Sequence, residues 1–191
     1  MVDDISKSAL RAVFTETNSL PGVLSRRQNI MGGHGTITLV GGNPGLLDEC
    51  WSLVETCEQL WSRFIPDSDI SRLNWAEGKP VKVAPLTRKL IAAMISGHTL
   101  SRGTYDPTLL PDVIGAGYES SVLDGERKTL LPDSARAPGH LEGIQFSDEE
   151  IMMPLGTTLD PGGIGKGFAA DLVVNYALEH GAYGVMAEFG G

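Results

Sequence analysis

Residues 159–167 (LDPGGIGKG) set an aspartate, four glycines and a lysine in a stretch that opens a helix. Backbone amides without side chains approach a phosphate closely, and the positive end of a helix dipole favours an anion. Lys166 falls in the first turn of a helix predicted over residues 164–180. A lysine there opposes the dipole, so a bound anion would give it a purpose. Asp160, just before the turn, is placed to accept hydrogen bonds from a ligand or to help hold a metal. The chemistry that suits this pattern is the seating of a diphosphate.

Two familiar phosphate loops are excluded. A Walker loop needs glycine where Asp160 stands and Ser or Thr where Gly167 stands. The dinucleotide fingerprint fails because Gly163, Gly165 and Gly167 alternate. A helix start that simply packs tightly on a sheet stays open as the alternative.

Two further segments carry polar groups at suggestive spacing. In GTYDPT (residues 103–108) the Asp-Pro pair initiates turns, so an ordinary helix exit explains it as well as a site does. In SRFIPDSDISRLN (residues 62–74), Asp67, Ser68 and Asp69 suit the capping of the turn that follows. His98 lies beside an apolar stripe and reads as a satisfied core histidine, while His34, among glycines, is left open. Cys50 and Cys57 fall two turns apart on one helix face. That is too far for a disulfide, so they read as buried apolar residues. No nucleophile–base constellation follows from spacing.

The elements that would position these groups follow from periodicity. Residues 35–40 (GTITLV) are β-branched and read as a strand. Asn43 and Pro44 then cap a helix whose stripe is Leu47, Cys50, Trp51, Val54, Cys57, Trp61 and Phe64, with Pro66 as its stop. A second helix is predicted over residues 87–102, with Leu90, Ile91, Met94 and Ile95 inward and Gly103 at its end. Residues 105–117 read as an extended loop, and residues 118–140 show no clear element. Residues 143–146 and 150–153 form a predicted hairpin, and residues 157–159 a short strand. The third helix has Phe168, Leu172, Val173, Tyr176 and Ala177 as its stripe and Gly181 as its cap, and residues 183–189 make a last strand. Residues 1–30 are weakly periodic. Long helices mixed with hairpins point to an α+β fold.

Composition narrows the class. The chain has 191 residues, 41% of them hydrophobic, and a net charge of −9. That suits one domain with a real core, and it argues against a nucleic-acid partner because no basic stripe is present to neutralise phosphates. No 18-residue apolar window or signal-length apolar run occurs, so no membrane span and a cytoplasmic location are expected.

Singly modest, these segments are specific together. Met31-Gly32, SRFIPDSDISRLN, GTYDPT with the downstream Pro111, and LDPGGIGKGFAAD resemble, in order and spacing, the ApbE flavin transferase family. The final EFGG resembles a strand end of that family. The resemblance covers residues 31–191 and implies an ApbE-like α+β fold of helices packed on a mostly antiparallel sheet. It implies FAD as substrate, with Mg²⁺ near its pyrophosphate. It also implies transfer of FMN to a threonine hydroxyl of a target protein, with AMP released. By motif position, Met31 would pack on the flavin, and Phe64 would take an aromatic place usually filled by tyrosine. Thr104, Tyr105 and Asp106 would line the FAD site, Asp160 and Lys166 would contact FAD, and Gly163 would offer its carbonyl oxygen to the metal.

Family members run on past the end of this sequence, with a histidine segment and an Asp-x-x-x-Thr metal site that do not occur here. The expected organisation is therefore a leader (residues 1–30) and a truncated ApbE-like domain (residues 31–191) whose C-terminal part is absent. A non-catalytic flavin-binding module, or an inactive fragment, is the alternative.

Overall fold

The computed structural model describes residues 21–121 and 125–190. Most of the expected leader and Gly191, the last residue of the EFGG end, lie outside the described residues.

Strand β1 (Val23–Ile30) runs antiparallel to β2 (Gly33–Val40), with Ile30 opposite Gly33. Only Met31 and Gly32 connect them, at φ 50° and 78°. Positive φ at both central residues matches the right-handed twist of the strands, and glycine meets that demand without strain whereas methionine does not. β1 is an addition to the sequence reading, which assigned residues 1–30 no element. Its periodicity is masked by polar residues on both faces, and pairing with β2 is what orders it. The last strand, β6 (Gly184–Phe189), pairs antiparallel with the other side of β2, giving the order β1-β2-β6.

Ile37 and Leu39 of β2, both fully buried, point to the face covered by two helices. Helix α1 (Pro44–Trp61) starts where Asn43 accepts a hydrogen bond from the Leu46 amide at 3.0 Å, with Pro44 in its first turn. Leu47, Cys50, Trp51, Val54, Cys57 and Trp61 are buried along it as the stripe predicts. Burial of each large apolar side chain contributes about 1.5–3 kcal/mol. The helix ends at Trp61, ahead of Pro66. Ser62 turns extended, and its carbonyl accepts from the Ile65 amide and the Ser68 hydroxyl, so Phe64 leaves the stripe and becomes half-buried.

Helix α2 (Asp69–Asn74) follows, capped by Ser68, whose hydroxyl accepts from the Ser71 amide at 3.0 Å. Strand β3 (Val81–Lys82), helix α3 (Pro85–Leu100) and the short helix α4 (Leu110–Gly115) come next. α4 interrupts the stretch expected to be an extended loop. Pro111, in its first turn, fits a helix start where no amide donor is needed. Strands β4 (Gln145–Phe146) and β5 (Glu150–Met152) form the predicted hairpin, and β3 completes a second antiparallel sheet with β5 in the middle. Residues 157–159 are buried but pair with no strand, contrary to expectation.

Helix α5 (Gly165–Glu179) buries Ala169, Val173 and Ala177. It ends as predicted: Gly181 sits at φ 96°, its amide donates to Leu178, and the Ala182 amide donates to Ala177. That double bond pattern closes a helix C-terminus. The expected α+β class with antiparallel sheets holds. No helix among the described residues is long and apolar enough to cross a membrane.

Candidate functional site

The glycine-rich turn is built from outside itself. The side-chain amide of Asn74, at the end of α2, donates to the Leu159 carbonyl at 3.0 Å and accepts from the Leu159 amide at 2.7 Å. Asn74 thus gives Leu159 the pair of bonds that a neighbouring strand would give, although residues 157–159 lie in no sheet. One residue on, the Asp160 amide donates to the Pro107 carbonyl at 2.8 Å. The three sequence segments are therefore hydrogen-bonded into one assembly.

Asp160 caps a single 3₁₀ turn over Pro161–Gly163, its Oδ1 accepting from the Gly162 amide at 3.1 Å. α5 then begins without a side-chain cap. Among the described residues, the amides of Gly163, Gly165, Lys166 and Gly167 donate to no backbone or side-chain acceptor. Gly162, Gly163 and Gly167 are exposed. Donors left open at a helix start are the kind of group that an anion can meet, although Gly165 itself is buried. Gly163 has a steric reason to be glycine as well: a Cβ there would come within 2.9 Å of the Tyr105 ring.

Lys166 lies half-buried in the first turn of α5 and makes no ion pair among the described residues. Its chain runs along the end of β6, so close that a Cβ on Gly190 would lie 2.7 Å from Nζ. Gly190 in turn lies against Gly33, where a Cβ would be 3.5 Å from its Cα. The Met31 turn therefore stands at the same end of the molecule as Lys166. Met31 is half-buried against both apolar clusters, and its amide donates to Glu58 Oε1 at 2.6 Å.

Tyr105 packs beside Gly97 and Gly163, and its hydroxyl is buried with no hydrogen-bond partner among the described residues. Burial first, then the charges of Asp160 and Asp106, push that phenol well above its ordinary range, so it is a donor at neutral pH. Asp106 itself is turned onto its own loop, its Oδ1 accepting from the Thr108 amide at 2.8 Å and from the Thr108 hydroxyl at 2.7 Å. Thr104 is exposed on the turn ahead of it. His98 holds the Tyr105 carbonyl through Nδ1 at 2.9 Å, the satisfied role expected of it.

Arg63 and Asn74 are the residues that reading the sequence overlooked. Arg63 approaches Asp160 at 3.4 Å and lies over the Phe64 ring at 4.3 Å. Burial draws its guanidinium below the ordinary arginine range, and Asp160 opposes that shift. Phe64 borders a surface hollow of about 710 Å³ with Gln59, Ile65, Pro66, Lys128 and Leu130. Both overlooked residues stand inside SRFIPDSDISRLN, but nothing in its period marks them.

The assembly brings Tyr105, Asp106, Asp160, Gly163 and Lys166 around one turn; Phe64 borders a hollow that none of these five residues lines, and Thr104 is exposed. The assembly can hold an anion through backbone donors and one ammonium. Among the described residues no three His, Cys, Asp or Glu side chains gather as a metal site.

Residues 31–191 match the model of the ApbE family. The Pseudomonas stutzeri flavinyl transferase ApbE, in apo form, superposes with TM-score 0.74 at 22% identity, covering 91% of this chain and 58% of that one. Flavin transferase ApbE from Vibrio cholerae gives 0.71 at 23% identity, covering 90% and 58%. The ApbE protein of Thermotoga maritima gives 0.68 at 22% identity, covering 87% and 57%. At these identities the likeness to solved structures is one of fold, and this chain spans less than two thirds of each relative's length. A comparison with curated proteins gave no match.

Proposed function

Because this chain belongs to the ApbE family, matched over residues 31–191, we propose that it binds FAD and serves the transfer of FMN from FAD to a threonine hydroxyl of a target protein. The observation that carries this reading is the turn at the start of α5, where Gly163 and Gly167 are exposed and the amides of Gly163, Gly165, Lys166 and Gly167 and the Lys166 ammonium find no partner among the described residues. In the reaction, a bond forms between the threonine oxygen and the FMN phosphorus. The bond from that phosphorus to the bridging oxygen breaks, AMP leaves with that oxygen, and the threonine proton is released.

The residues of this chain act by binding and orienting. The amides of Gly163, Gly165, Lys166 and Gly167 and the Lys166 ammonium take the diphosphate, and Tyr105 supplies a neutral donor. Phe64 and Met31 offer apolar surface to the flavin, and Thr104 and Asp106 shape the loop beside it. Phosphoryl transfer is mostly positioning and charge neutralisation, so such a seat supplies a large share of what the reaction needs. Mg²⁺ belongs to the proposal through the family. Asp160 and the Gly163 carbonyl alone do not fit a hard cation that takes six oxygen ligands. The Asp160 carboxylate is moreover engaged by Gly162 and Arg63. That engagement favours a second reading, flavin binding without transfer.

Incubation with FAD, Mg²⁺ and a threonine-bearing acceptor protein, read by mass spectrometry, separates the two. Acceptor mass raised by FMN supports transfer. FAD bound with no mass added supports the second reading, and no FAD bound in calorimetry defeats both.

A further inference from the structure

Arg63 reaches three separate segments at once. Its Nη1 donates to the Thr129 hydroxyl at 2.6 Å, its Nη2 to the Tyr118 carbonyl at 2.8 Å, and its Nε stands 3.4 Å from Asp160 Oδ1. The Phe64 ring backs the guanidinium, and the side chain is only 10% exposed. Thr129 and Tyr118 contribute neutral oxygens, so the carboxylate that matches the arginine's charge is Asp160. Asp160 is itself 19% exposed, and its capping oxygen holds the Gly162 amide. The turn thus carries a largely buried carboxylate immediately before the amides that stand open. In a medium of low dielectric, an uncompensated negative charge there would repel a polyphosphate strongly.

We propose that Arg63 is a positioning residue that neutralises Asp160 and fixes it in its capping geometry, so that the turn accepts a diphosphate ligand in preference to an unphosphorylated flavin. This rests on the reading of the turn as a diphosphate seat. Arg63 acts through Asp160, and its planar fork, shared among three acceptors, sets where that carboxylate stands. The ligand class follows from the charge: a neutral riboflavin gains nothing from the pairing, whereas FAD does.

The test is a double-mutant cycle on the whole chain, with Arg63→Gln, Arg63→Lys, Asp160→Asn and the pair Arg63→Gln/Asp160→Asn. Each variant is titrated with FAD and with riboflavin, and its fold is checked by circular dichroism. Arg63→Gln is expected to weaken FAD binding about tenfold, the scale of a lost charge-assisted interaction, and to leave riboflavin within about twofold. The same change in the Asp160→Asn background should weaken FAD binding by less than about threefold, and Arg63→Lys, which keeps the charge and loses the planar fork, should recover only part of the loss seen with Arg63→Gln. Equal losses for FAD and riboflavin, or effects of the two changes that simply multiply, would overturn the proposal. Should the unaltered chain bind no FAD, the diphosphate seat falls and this inference with it. FAD bound normally by Arg63→Gln overturns the inference alone.

Discussion

The sheet β1-β2-β6 under α1 and α5 and the loops around residues 159–167 are neighbours that both rest on buried apolar side chains and differ in what is added to that packing. The first region is long elements joined through apolar contact: Ile37, Leu39, Trp51, Val54, Val173 and Ala177 meet with almost no surface left to water. The second has hardly any regular element. Asn74 holds Leu159, Asp160 holds Pro107, and the Thr108 hydroxyl accepts from the Gly139 amide at 2.9 Å. Asp69 adds bonds from the Ala84 amide at 2.8 Å and the Thr87 hydroxyl at 2.6 Å. Apolar packing sets volumes and tolerates like-sized exchanges. Polar clamps set directions, and each leaves a buried partner unpaired when broken. A binding turn needs direction more than volume.

The largest test of this contrast is Trp51→Ala, which empties the centre of the first region and is expected to cost about 4 kcal/mol in urea unfolding. FAD affinity of the molecules still folded should be unchanged. Asn74→Ala is expected to cost about 3 kcal/mol, because Leu159 loses partners for both its buried amide and its carbonyl. Here FAD affinity should fall as well, since the turn loses its anchor. If Asn74→Ala leaves binding intact, or Trp51→Ala abolishes it, the division between the regions fails. Lys166→Ala should weaken FAD binding by about 2 kcal/mol in calorimetry with little change in stability; unchanged affinity would remove the lysine from the seat. Asn43→Ala, which deletes the cap of α1, should cost about 1 kcal/mol and leave binding untouched.

A further prediction concerns pH. Burial pushes the Cys57 thiol from its ordinary 9.0 up to about 12. The folded state therefore favours the neutral thiol. The stability this contributes is present in full below pH 9.0 and is lost as the pH rises toward about 12. At pH 8 iodoacetamide should label Cys57 only in denaturant; rapid labelling of the folded protein would mean that the first region opens.

The first region was largely legible in the residues themselves. Asn43-Pro44 announced the start of α1, six of the seven residues of the apolar stripe its buried face, and Gly181 the end of α5. Where reading failed there, a partner decided the outcome: β1 is a strand because β2 is beside it. In the second region the glycine turn was legible as a type, and a helix does start after it. What holds it was not legible. Residues 157–159 carry strand-like residues, yet their partner is a side chain.

Sequence alone determined the three long helices, the glycine turn that opens the last of them, and the family, because apolar period, capping and glycine spacing act over a few residues and leave a local imprint. The tertiary structure decided that Asn74 clamps Leu159, 85 positions away, and that Arg63 is the counter-charge of Asp160. Those pairings are set by which surfaces the packed helices and sheets bring together. A polar side chain carries no mark of its distant partner until the chain has folded.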